Sequence, residues 1–148
     1  MPVLQAVDVQ KQYTSDSAVV RAVGGVSLTV AAGVLVALVG RSGCGKSTLL
    51  NLAGAMDFPT SGNVSIAGQV TTGLDDVALT RLRREKVGFI FQSFQLLQNL
   101  TAAENVELPL LLSGRPAARA TALDRLARVE LDGLAHRYPH QLSGGQMP

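Results

Sequence analysis

The chain has 148 residues and a mass of 15.5 kDa, enough for one domain with a real core, and its 47% hydrophobic content excludes a disordered tail. A net charge of +2, a pI near 9.0, 16% charged residues and no basic tail argue against nucleic acid as a partner. The lone Cys44 can form no internal disulfide, the N-terminus lacks a basic segment followed by an apolar run, and the most apolar stretch, Val26 to Val39, is interrupted by Ser27, Thr29 and Gly33 and is shorter than the ~20 residues of a bilayer span, so a reducing, cytoplasmic setting is expected.

In chain order, the first third has the period of half-buried strands. Val7 and Val9 alternate with Asp8 and Gln10; Val26, Leu28 and Val30 with Ser27 and Thr29; Val64 and Ile66 with Asn63 and Ser65. Such alternation suits an antiparallel sheet with one wet face. Val34 to Val39 is apolar throughout and Val87 to Phe91 nearly so, the pattern of strands buried on both faces of a parallel sheet; these are the expected central strands. Helices are expected from Lys46 to about Ala55, over the short basic stretch Leu79 to Lys86, from a capping box at Thr101 to an interruption at Pro109, and from Pro116 to about Leu131. In the last of these, Leu123, Leu126 and Ala127 share one side and Thr121, Asp124, Arg125 and Arg128 the other. The segments 14 to 18 (TSDSA) and 113 to 118 (SGRPAA) are expected turns.

The strongest local signal is GRSGCGKST: Gly40, Arg41, Ser42, Gly43, Cys44, Gly45, Lys46, Ser47 and Thr48, set between an apolar run and a helix. It fits GxxxxGK[ST]. The glycines let the backbone curl so that successive N–H groups face a phosphate, and the following helix adds the positive end of its dipole. Lys46 is expected to reach the β and γ phosphates of a nucleotide and Ser47 to offer its hydroxyl to Mg2+. Cys44 occupies a position that asks only for a small side chain. A phosphate loop by itself leaves kinases, GTPases, helicases and transporters open.

Near the end of the chain stands LSGGQ, Leu142 to Gln146, and with Gln92 and the phosphate loop it makes the sequence resemble the ATP-binding subunit of ATP-binding cassette (ABC) transporters, over Val3 to Gln146. The stretches DFPTSGNVSIAG, VGFIFQSFQLLQNLTAAENVELPL and YPHQLSGGQ look most like the branch that drives lipoprotein release and macrolide export. Arg41 stands where the family often has proline, and Val34 where it usually has glutamate. The resemblance implies an α/β P-loop fold with an N-terminal antiparallel β part, over residues 1–92, and a helical subdomain, over residues 93–148. It implies ATP and Mg2+ as cofactors, Tyr13 as an adenine-stacking ring, and Gln92 as a contact to Mg2+ and the attacking water. Ser143, Gly144, Gly145 and Gln146 are expected to bind ATP held by a second ATP-binding subunit in a head-to-tail dimer. Transmembrane permease subunits are the implied partners, against the inner face of the membrane, with Phe94, Leu96 and Leu97 either contact residues or local core. The run Arg81, Arg83, Arg84, Lys86 is expected to be a solvated helix face.

The resemblance also implies a strand ending in a magnesium-binding aspartate, a catalytic glutamate after it, and a downstream histidine. None can be assigned: His136 and His140 precede LSGGQ, and Asp132 follows no apolar strand. The sequence therefore reads as an ABC ATPase cut short after its signature, expected to bind nucleotide without turnover, to be marginally stable and to leave its two central strands unpartnered. The alternative function is a non-hydrolysing or vestigial nucleotide-binding module.

Overall fold

The valine-rich start of the chain forms a hairpin of two 14-residue strands, β1 (Pro2–Ser15) and β2 (Ala18–Ala31), in a computed structural model that describes residues 2–15, 18–91 and 93–147. The turn expected at 14 to 18 lies between paired Ser15 and Ala18, and its residues 16 and 17 are outside the described set. Strand β3 (Ser61–Ile66) pairs antiparallel with β1, and the two-residue β4 (Gln69–Val70) pairs with β3, giving the order β2-β1-β3-β4. Helices α1 (Lys46–Ala53) and α2 (Asp76–Lys86) complete a first unit, Met1–Gly88.

The strict alternation expected in β1 is broken. Val9 is fully buried, but Val7 is 49% exposed and Ala6 takes its place in the core. The register slips between Ala6 and Val9, where Asp8 adopts φ 46: a β-bulge that turns the strand and moves Val7 outward. Gly62 on β3 permits it, since a Cβ there would lie 2.2 Å from the Asp8 carbonyl oxygen. The core of this unit joins Ala6, Val9, Val23, Val64 and Ile66 of the sheet to Leu52 and Ala55 at the end of α1 and to Leu79 and Leu82 of α2. Helix α1 ends at Gly54, near the expected boundary. Helix α2 begins before the expected Leu79, because the Asp75 side chain caps it by accepting the Ala78 N–H at 2.8 Å.

The second unit, Phe89–Pro148, is helical. Helix α3 (Ala102–Leu112) starts on the expected capping box: the Thr101 hydroxyl accepts from Glu104 N–H at 3.3 Å, and the Glu104 carboxylate accepts from Thr101 N–H at 2.7 Å. The interruption expected at Pro109 does not occur. Proline removes one donor, and the last turn is held instead by Ser113, whose N–H and hydroxyl both donate to the Pro109 carbonyl, at 3.1 and 2.6 Å. Helix α4 (Ala118–Ala127) is shorter than the expected Pro116 to Leu131: Ala117 and Glu130, at φ 55 and 62, lie in left-handed conformations just outside its two ends.

The two expected central strands are unpartnered, as anticipated, but the expectation that they are buried strands needs correction. Neither Val34 to Val39 nor Val87 to Phe91 pairs with a strand among the described residues. Leu35 is 97% exposed, Val39 89% and Ile90 88%. A strand is defined by its neighbours' hydrogen bonds, and an apolar run without them stays extended and wet.

Candidate functional site

The phosphate-loop motif is built in the first unit by the junction of Val34 to Val39 with α1. Gly45 is the N-cap of α1, left-handed at φ 93. A Cβ on it would lie 2.1 Å from the Ala22 carbonyl oxygen of β2, so only glycine lets the loop rest on the sheet. Gly43, at φ 79, makes the preceding bend. Arg41, Ser42, Cys44 and Ser47 are exposed and Thr48 is half-buried. The first turn of α1 carries no acidic residue, so its free N–H groups and dipole present an uncompensated positive end. Lys46 folds over the loop: its ammonium donates to the carbonyls of Gly40 at 2.9 Å and Arg41 at 2.7 Å, and more weakly to the Cys44 sulfur at 3.6 Å. A cavity of about 210 Å³ lies against the loop, lined by residues that include Val23, Val39, Gly45 and Lys46. Among the described residues that line it, Lys46 is the one that carries a charge.

Tyr13 lies near the end of β1, 44% exposed. Its hydroxyl donates to Asp57 Oδ2 at 2.9 Å, and the Lys11 ammonium sits 5.0 Å from its ring centroid. Lys11 also donates to Asp57 Oδ1 at 2.6 Å and to the Phe58 carbonyl at 2.8 Å, and the Phe58 N–H donates to Asp57 Oδ1 at 2.7 Å. Partial burial alone would raise the Asp57 carboxyl, but the Lys11, Phe58 and Tyr13 donors together outweigh it and hold the group below its ordinary 3.8. The sequence reasoning missed Asp57, although it stands at the head of DFPTSG; its side-chain partners Lys11 and Tyr13 are more than 40 residues away in the chain, and no local spacing announces them.

Gln92 lies outside the described residues. Ser143 to Gln146 in the second unit form a single turn, in which the Ser143 N–H donates to the Gln146 side chain at 2.9 Å and the Gln146 N–H to the Ser143 carbonyl, also at 2.9 Å. Ser143, Gly144 and Gly145 are exposed. Phe94 and Leu96 line an apolar cavity of about 290 Å³, together with Val106, Leu126 and Leu142, whereas Leu97 is 47% exposed and does not line it. On α2, Arg81 pairs with Glu85 at 2.8 Å on the solvated face, as expected, but Arg83 is half-buried and donates to the Ala55 carbonyl at 3.1 Å. Among the described residues no cluster of three or more His, Cys, Asp or Glu side chains could hold a metal, and no helix is long and apolar enough to cross a membrane.

Comparison with known proteins gives concordant results. The sequence profile of the family described as "ABC transporter" matches residues 23–148. The macrolide export ATP-binding/permease protein MacB of Hyphomonas neptunium is 47% identical over 147 residues, 98% of this chain and 23% of the relative; MacB of Escherichia coli is 45% identical with the same coverage. The chain thus spans about a quarter of the length of these curated relatives. Among solved structures, a dimeric ATP-binding cassette in a post-hydrolysis state, bound to ADP and Pi, superposes with a TM-score of 0.91 at 43% identity, over 97% of this chain and 65% of the other.

Proposed function

This chain belongs to the ABC transporter family, and from that premise we propose that residues Gly40 to Thr48 bind ATP with Mg2+ on behalf of a transporter that exports its substrate across a membrane. The observation that carries the reading is the loop itself: a glycine that only fits without a side chain, a helix start free of acidic residues, and Lys46 poised over both. A bound γ-phosphate oxygen would take the weakest of the three Lys46 contacts, that to Cys44, so the ammonium could hold the anion and still brace the loop. Ser47, one residue into α1, offers a neutral hydroxyl oxygen of the kind Mg2+ accepts, and Gln92 is assigned as a second ligand. The ion, when bound, would neutralise charge on the β and γ phosphates.

In the same proposal Tyr13 supports the adenine, residues 93–148 form the helical part that meets the permease, and Ser143 to Gln146 face ATP held by a second ATP-binding subunit across a head-to-tail dimer. The relatives named MacB are ATP-binding/permease proteins, which supports a membrane partner and a place on the inner face of the membrane. A polypeptide of these 148 residues is proposed to bind ATP without turnover, because none of the described residues lining the cavity against the loop is a carboxylate that could position a water. Titration calorimetry with Mg·ATP tests the site: binding is expected for the wild type and none for Lys46→Ala, and equal affinity would remove the assignment. A phosphate-release assay tests the rest, since turnover that vanishes in Lys46→Ala would show that a residue of this chain supplies the base.

A further inference from the structure

We propose that Asp57 is a positioning residue for nucleotide base recognition: together with Lys11 it fixes the Tyr13 ring so that adenine meets a platform already in place. The inference rests on the reading of Tyr13 as that platform and extends it to the residues that hold the ring.

Tyr13 is half exposed near the end of a strand, where an aromatic side chain ordinarily swings between rotamers. Here two contacts restrain it, and one of the partners is itself held in place. The hydroxyl is tied to Asp57 Oδ2, so the ring cannot rotate about its first torsion without giving up that bond. The Lys11 ammonium lies over one face at 5.0 Å, leaving the opposite face as the one a base can cover. Asp57 is itself anchored, because Oδ1 accepts from both Lys11 Nζ and Phe58 N–H, and Lys11 is closed onto the Phe58 carbonyl. The carboxylate thus occupies the centre of a network that joins Tyr13, Lys11 and Phe58. The α1 to β3 connection, which follows directly from the phosphate loop and its helix, is thereby tied to the strand that bears the ring.

A stacking ring that must first be immobilised loses part of the affinity it could give; ordering one such side chain is worth roughly a 2- to 10-fold change in dissociation constant. A network that only stabilised the fold would shift every ligand of the phosphate loop alike. A positioning network shifts only ligands that carry a base.

The test compares Mg·ATP with inorganic tripolyphosphate, which offers the phosphates without adenine, by titration calorimetry on the 148-residue protein. Tyr13→Phe and Asp57→Ala are each expected to lower the ratio of ATP affinity to tripolyphosphate affinity roughly 2- to 10-fold, with tripolyphosphate binding unchanged, and the double variant to lower it no further than either alone. A wild-type ratio in Tyr13→Phe overturns the proposal, and that variant, which loses a single hydroxyl, decides the matter even if Asp57→Ala does not fold. Tyr13→Ala separates the two layers. If it lowers the ratio while Tyr13→Phe does not, the platform stands and the positioning role fails; if it leaves the ratio at the wild-type value, the platform reading itself falls, and this proposal with it.

Discussion

Two glycine-rich segments of this chain look alike in letters and differ in physics. In GRSGCGKST, Gly45 is left-handed at φ 93 and would drive a Cβ to 2.1 Å from the Ala22 carbonyl, so the fold of the first unit itself demands glycine. In LSGGQ, neither Gly144 nor Gly145 takes a positive φ, and a Cβ on either would meet nothing within 4 Å. Nothing among the described residues asks for glycine there. A small residue that its own chain does not need is explained by something approaching from outside, which fits the proposal that this turn meets ATP on a second subunit. The first segment is held in its shape by internal contacts; the second is an exposed turn that its own described neighbours do not constrain to glycine.

The largest effect expected from that contrast is at Gly45. Gly45→Ala should abolish Mg·ATP binding in calorimetry and lower the urea unfolding free energy by at least ~1–3 kcal/mol, the usual range for a residue forced into a rare backbone region, with the steric overlap added. Retained binding would show that the loop can shift off β2. Next comes Cys44, exposed and in contact with the Lys46 ammonium inside the loop. Saturating ATP should slow its maleimide labelling several-fold, and unchanged kinetics would place the nucleotide elsewhere.

A smaller effect is expected with acid. The folded Asp57 carboxyl lies below its ordinary 3.8, so its contribution to stability is present above that value and is lost as pH falls through the folded one. Unfolding free energy measured against pH below about 4 should fall less steeply in Asp57→Asn than in the wild type; identical slopes would remove Asp57 from the internally held group. The smallest effect belongs to the second segment. Gly144→Ala and Gly145→Ala should each change stability by no more than ~0.5 kcal/mol and leave Mg·ATP affinity of this chain untouched, because no neighbour is displaced. A large loss of stability in either would show an internal role for these glycines and end the contrast.

What the sequence determined by itself is whatever is encoded over a few consecutive residues. The phosphate loop was legible because backbone curl, lysine, hydroxyl and helix start are neighbours in the chain. The capping box at Thr101 was legible for the same reason, since its reciprocal bonds span one turn. The turn at Ser143 was half legible: its glycines were plain, but not that Gln146 would accept its own segment's Ser143 N–H. Tertiary structure decided everything that needed a distant partner. The bulge at Asp8 depends on Gly62 of β3, and it reversed the expected burial of Val7. Arg83 left the solvated face because the Ala55 carbonyl, at the end of another helix, lay within its reach. Val34 to Val39 has the composition of a buried strand, yet a strand exists only where another backbone accepts its hydrogen bonds, and composition cannot supply that neighbour. Tyr13 could be singled out by its place in the chain, but its orientation belongs to Lys11 and Asp57, which only the folding of β1 against the α1 to β3 connection brings within hydrogen-bonding distance.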